Sequence, residues 1–248
     1  LYLWCFCIFG GKMNIYLKFI YSIIITIILA YAIKKKGYLD NSGVFISSLM
    51  SFIILIGTNI YWLILMVLFL VFGSIVSKIG YAKKCDMGMG ESKRTIKNVL
   101  ANGLIAVLVV LLNMFGIIEY SIALIGYIGA IAAATSDTFS SEIGVISNET
   151  PRLITTFEKI KNGEDGGITI KGTIAGLVGS LLIGIIASIM FNNINLIWIA
   201  TISGTAGNIV DSLMGALFER KGIINNEIVN FTCTFAGCVC AVLLYGFI

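Results

Sequence analysis

Eight apolar stretches, most of them about as long as the roughly 20 residues that cross a bilayer, constrain this chain to a bundle of membrane-crossing helices. They fall at residues 14–33, 43–57, 60–78, 98–115, 120–134, 172–191, 196–217 and 230–247. The second is short, and only Gly57-Thr58-Asn59 separates it from the third. Charged residues make up 12% of the chain, where a soluble domain carries about 25%. With 58% hydrophobic residues and no linker or low-complexity tail, residues 13–248 read as a single transmembrane domain. The expected fold is therefore all-α, a polytopic bundle of about eight helices. One Pro and 27 Gly suit helices that pack closely through small residues.

The connections alternate in character. Those at 58–59, 116–119 and 192–195 are short and almost uncharged, while those at 34–42, 79–97, 137–171 and 218–229 are longer and hold most of the Lys and Arg. The positive-inside rule assigns the charged set to the cytoplasm and turns both termini outward. The expected location is a multi-pass protein of the cell (plasma) membrane. Lys34-Lys35-Lys36 reads as a topology signal. The net charge of +4 is explained by basic residues beside the spans, so no nucleic-acid partner is expected. A homo-oligomer remains open.

The chain has no His, which removes Ser-His-Asp and Cys-His catalysis and the commonest metal ligand. Its six Cys include no CxxC pair, so neither structural zinc nor a disulfide framework is expected. Gly10-Gly11-Lys12 directly before Met13 reads as a translated ribosome-binding sequence, which makes residues 1–12 an extension and Met13 the expected start. The rival, a signal-like leader, lacks a basic start and a small-residue cleavage site.

Three polar runs interrupt this apolar chain, all on the charged side. The first is Thr135-Ser136-Asp137-Thr138-Phe139-Ser140-Ser141-Glu142, which continues a small-residue helix into a polar mouth. Asp137 and Ser141 share a face by their spacing of four. The second, Asn162-Gly163-Glu164-Asp165-Gly166-Gly167, leads through Lys171 and Thr173 into a helix start, where backbone N–H groups can meet a phosphate. It is not a Walker motif, and an ordinary glycine turn competes equally with that reading. The third, Asn208-Ile209-Val210-Asp211-Ser212, sets Asn208 and Asp211 on one face. The bland readings are helix caps at Asp137 and an interhelical hydrogen bond from Asp211 to Asn98 or Asn102. Carboxylates inside apolar segments are costly, which weighs toward function. Two further groups are notable: a basic segment, Ser92-Lys93-Arg94, before Asn98 and Asn102, and the trio Asn225, Asn226 and Asn230, suited to capping the last helix or lining the site. Carboxylates with hydroxyls are natural Mg²⁺ ligands, and phosphoryl transfer needs positioning and charge neutralisation rather than a nucleophilic side chain.

Several of these segments, in order, resemble an integral-membrane family that includes the chloroplast phytyl-phosphate kinase of vitamin E synthesis. The similar segments are Lys93-Arg94 with Asn98 through Gly103, Ala134 through Gly144, Pro151 through Thr156, Gly163 through Thr173, and Gly207 through Ala216. The resemblance covers nearly the whole chain from Met13. Here Glu164-Asp165 stand where small residues are usual, and Ser136 where Ala is common.

The resemblance implies a kinase that uses a nucleoside triphosphate, CTP in the better-known members, to convert an isoprenyl monophosphate to its diphosphate. On that reading Asp137, Glu142 and Asp211 bind Mg²⁺, supported by Asn208 and Ser141. Gly166, Gly167, Lys171 and Thr173 contact phosphates, and Arg94 or Arg152 neutralises charge. Asn98, Asn102, Ser212 and Asn230 complete the substrate site. The rival from another class is a transporter or cation carrier using the intramembrane Asp and Asn residues.

Overall fold

The computed structural model describes residues 14–87 and 94–247. The expected extension at 1–12, and Ser92 and Lys93 of the basic segment, lie outside the described residues. Helices account for most of the described residues. They are α1 (Ile15–Lys36), α2 (Asn41–Gly57), α3 (Ile60–Lys78), the short α4 (Tyr81–Asp86), α5 (Ile96–Met114), α6 (Tyr120–Ile146), α7 (Ile170–Phe191), α8 (Asn195–Met214) and α9 (Asn226–Tyr245). Every apolar stretch forms a helix. Seven are long and apolar enough to cross a membrane. The eighth, α2, has 17 residues and so a length of about 26 Å.

Polar residues set the boundaries by occupying the first free N–H groups of each helix. Asn59 Oδ1 accepts from Tyr61 N at 3.0 Å, which starts α3 with only two residues between it and the end of α2. Asp40 Oδ1 caps α2 through Gly43 N, and Thr169 Oγ1 caps α7 through Gly172 N at 3.0 Å.

The observed α6 runs to Ile146, twelve residues past the end of the apolar stretch at 134 and four past the expected polar extension at Glu142. Apolarity stops at Ala134, but the helix continues because its next turns are covered by neighbours rather than by lipid. Helix α6 is the centre of the bundle, packed against α3, α5, α7, α8 and α9. Ala130, Ala132, Ala133 and Ala134 are fully buried. A Cβ on Gly129 would lie 2.5 Å from Gly237 O, and one on Gly207 would lie 2.5 Å from Ala133 Cβ, so these contacts exist only because the residues are small.

At the end of the bundle remote from the charged connections, Trp62 and Tyr127 are fully buried, with ring centroids 4.8 Å apart. Tyr127 Oη donates to Trp62 O at 2.7 Å. Helix α8 ends in a π turn, Gly215–Glu219, closed by Arg220 N donating to Gly215 O at 3.0 Å. The long connection between α6 and α7 folds back as a two-residue antiparallel pair, β1 (Arg152–Leu153) with β2 (Gly167–Ile168).

Candidate functional site

The polar ends of α5, α6, α8 and α9 and the loop before α7 meet around one cavity of about 310 Å³. Arg94 comes from just before α5 and Asn98 and Asn102 from its first turns, and α6 contributes Asp137, Ser141 and Glu142. From α8 come Asn208, Asp211 and Ser212, and from α9 Asn226 and Asn230. The glycine-rich loop adds Gly166 and Gly167. The three polar runs, separated by up to 76 positions from Thr135 to Asp211, thus face a common space.

At its base, the carboxyl groups of Asp137 and Asp211 come within hydrogen-bonding reach of each other across the α6–α8 contact. Asp211 therefore pairs with Asp137, not with Asn98 or Asn102. Asn98 is engaged in its own helix start, where Oδ1 accepts from Thr95 N at 2.8 Å. Asn102 Nδ2 donates to Asn98 O at 3.0 Å. Two carboxyl groups this close require a shared proton or a cation. Asp211 Oδ2, in the cavity wall, is buried without a hydrogen-bond partner, a costly state that a ligand would relieve, and Ser136 Oγ is likewise buried and unpartnered. Asn208 is 8% exposed and stands one helical turn from Asp211. A bare α-carbon makes this packing possible, since a Cβ on Gly176 would lie 2.8 Å from Asn208 Nδ2 and 2.9 Å from Ser136 O.

Glu142 lines the same cavity, but its carboxylate is engaged by two partners that the sequence reading did not include. Its Oε2 receives a 2.5 Å bond from Lys84 Nζ, and its Oε1 accepts from Ser77 Oγ. Lys84 is 4% exposed and also donates to Ser77 O at 2.8 Å. Among the described residues no three acidic, Cys or His side chains form a metal-holding group. The remaining donors still fit Mg²⁺, which is usually held by one or two carboxylates together with substrate phosphate and water. Those donors are the Asp137–Asp211 pair, with the unpartnered Asp211 Oδ2 and the adjacent Asn208 amide.

Arg152, Lys171 and Thr173 do not line the cavity. Arg152 is drawn into its own loop by Nη1 donating to Phe157 O at 2.8 Å. The α7 N-terminus is filled from within the chain, because Glu149 Oε2 accepts from Ile170 N at 2.8 Å and from Lys171 N at 3.3 Å. Thr173 Oγ1 turns back to Thr169 O at 2.9 Å. The phosphate cradle expected there is thus occupied by a carboxylate.

The glycine-rich loop instead latches onto the π turn. Gly166 has φ of 76°, and a Cβ there would lie 2.5 Å from the Ala216 backbone. Arg220 Nη2 pairs with Glu164 Oε2 at 2.8 Å. Burial pushes the Asp165 carboxyl above its ordinary value, Arg220 opposes that shift and Glu164 adds to it. Sequence reasoning missed Glu219 in the cavity wall and Lys84 behind Glu142. Both sit in charged stretches that topology already explained, and only the fold shows where they point. Six acidic side chains and one basic one, Arg94, line the cavity among the described residues.

Residues 24–238 match the family described as integral membrane protein DUF92. The chain is 51% identical over 233 residues to an uncharacterised membrane protein of Methanocaldococcus jannaschii, covering 94% of this chain and 97% of that one. It is 29% identical over 241 residues to Protein PGR of Arabidopsis thaliana, covering 86% and 83%. It is 25% identical over 195 residues to Protein VTE6, chloroplastic, of the same plant, covering 75% and 59%. No solved structure matches the chain.

Proposed function

This chain belongs to the DUF92 integral membrane family, and from that premise we propose that it is a phosphotransferase acting on an isoprenyl monophosphate at the cytoplasmic leaflet. The donor is a nucleoside triphosphate, with CTP favoured by the resemblance described above. The observation that carries this reading is the Asp137–Asp211 pair at the base of a polar cavity, where the bundle's apolar helices end.

The cavity's charge is informative. Six acidic groups against one Arg would repel a triphosphate unless divalent cations came with it. Asp137 and Asp211, with Asn208, are the residues that would hold Mg²⁺. When bound, the ion would neutralise phosphate charge, which is most of what phosphoryl transfer requires. In the reaction a terminal oxygen of the lipid monophosphate bonds to the γ-phosphorus. The bond from that phosphorus to the β–γ bridging oxygen breaks, and nucleoside diphosphate leaves with the electron pair. Arg94 would neutralise charge, and Asn98, Asn102 and Asn230 would orient phosphate or sugar.

The transporter reading needs a polar path through the full depth of the bundle. Past the carboxylate pair, α6 presents Ile131 and Ile128, both fully buried, and then the Trp62–Tyr127 pair closes the far end. That apolar plug favours a reaction confined to one face.

The test is phosphate transfer by the purified protein in detergent with CTP, ATP, GTP or UTP, Mg²⁺, and phytyl, geranylgeranyl or farnesyl monophosphate. Diphosphate formed by the wild type and not by Asp137→Asn supports the proposal. A fully active Asp137→Asn protein would remove this site from consideration.

A further inference from the structure

A second, apolar groove of about 50 Å³ lies between α2, α3 and α5. Its walls come from Met50, Met66, Val67 and Leu70, and it shares Arg94 and Asn98 with the polar cavity. The two spaces therefore adjoin at a cationic side chain. Met66 lies twelve residues before the end of α3, about 18 Å along that helix from its charged end.

Arg94 is built into this junction. Its carbonyl accepts from Asp40 N at 3.0 Å, which ties its backbone to the turn between α1 and α2. Its guanidinium carbon lies 5.6 Å from the Phe69 ring centroid. A Cβ on Gly73 would lie 2.7 Å from Nη2, so the bare α-carbon of α3 makes room for the guanidinium. A cation fixed between a polar cavity and an apolar groove suits an amphiphile with an anionic head and a hydrocarbon tail.

We propose that this groove binds the tail of a single-chain lipid phosphate, with Arg94 and Asn98 gripping the phosphate at the junction. The proposal deepens the lipid-acceptor part of the function proposed above and rests on it. At about 50 Å³ the groove is small, which favours one hydrocarbon chain over the two of a diacyl phosphatidate. Met50 and Met66 are unbranched and adaptable, which lets one chain thread between them. Met50 Sδ also lies 3.2 Å from where a Cβ on Gly103 would be, so the groove's depth depends on that glycine.

The test needs no nucleotide. The full chain in mixed micelles is photolysed with a single-chain alkyl phosphate carrying a diazirine midway along its tail, and the modified peptides are mapped. Labelling concentrated on α2, α3 and α5, competed by geranylgeranyl monophosphate but weakly by geranylgeraniol or a diacyl phosphatidate, supports the proposal. Val67→Trp and, independently, Ser47→Phe should each suppress that labelling. Arg94→Gln should lower the preference for phosphate over alcohol by about tenfold, as expected for loss of one charge-assisted contact. Labelling spread over the outer face of α7, or equal competition by the alcohol or the phosphatidate, would overturn it. Because the readout is binding alone, a protein that binds in the groove yet transfers no phosphate would leave this inference standing and count against the kinase reading. Transfer with labelling elsewhere would do the opposite.

Discussion

Lys84 Nζ lies 2.5 Å from Glu142 Oε2, so this carboxylate is paired with a lysine while Asp137 and Asp211 face each other in the same cavity. The ion pair ties the short α4 to the polar end of α6, with a second tether from Lys83 Nζ to Ile146 O at 2.9 Å. Removing one member of a buried pair leaves the other charge unsatisfied, whereas removing both is often tolerated.

Lys84→Met should therefore destabilise the protein by about 3 kcal/mol, and Lys84→Met with Glu142→Gln should recover most of that loss. Thermal unfolding in detergent measures both. Equal stability of the single and double variants would show that the pair is not a structural unit.

Asp211→Asn should leave the fold intact, because it replaces a buried carboxyl lacking a partner on Oδ2 by an isosteric amide. Phosphate transfer should fall by about 100-fold or more if the pair stabilises transition-state charge. Transfer assays across a Mg²⁺ titration, with melting curves as a control for folding, check this.

Gly176→Ala should both destabilise and impair the site. Its new methyl would press on Asn208 Nδ2 and the Ser136 carbonyl at under 3.0 Å, and the second of these is backbone that yields only if α6 or α7 shifts. Overpacking of this kind costs about 1–3 kcal/mol. Melting temperature and KM for the nucleotide, measured together, should move in the unfavourable direction.

Gly166→Ala should release the glycine-rich loop from the π turn, since it combines a left-handed backbone with a clash against Ala216. Limited proteolysis should then cut between residues 161 and 167 faster than in the wild type, with the transmembrane core still protected.

The raised Asp165 carboxyl gives a pH dependence whose sign is fixed by linkage. The folded protein binds the proton more tightly than the unfolded chain, so this group contributes stability below its ordinary value of 3.8 and loses it as pH rises through the folded value. Asp165→Asn should flatten that component of a pH-dependent melting series run upward from pH 4. An unchanged slope would show that Asp165 does not contribute.

The membrane-length helices were legible in the amino-acid order, although α1 and α6 run on past their apolar stretches. Desolvation acts on each residue separately, so an apolar run or a capping Asn59 is readable one position at a time. The same reasoning located Asp137, Asn208 and Asp211, because a carboxylate in an apolar helix is conspicuous wherever it sits. Tertiary structure decided the partnerships. The 58 positions between Lys84 and Glu142 are bridged only when α4 packs against α6. Glu149 fills the helix start that Lys171 and Thr173 were expected to share with a phosphate. The Arg94 junction arises where α2, α3 and α5 converge on a glycine. These outcomes depend on which surfaces meet, and local polarity carries no information about that.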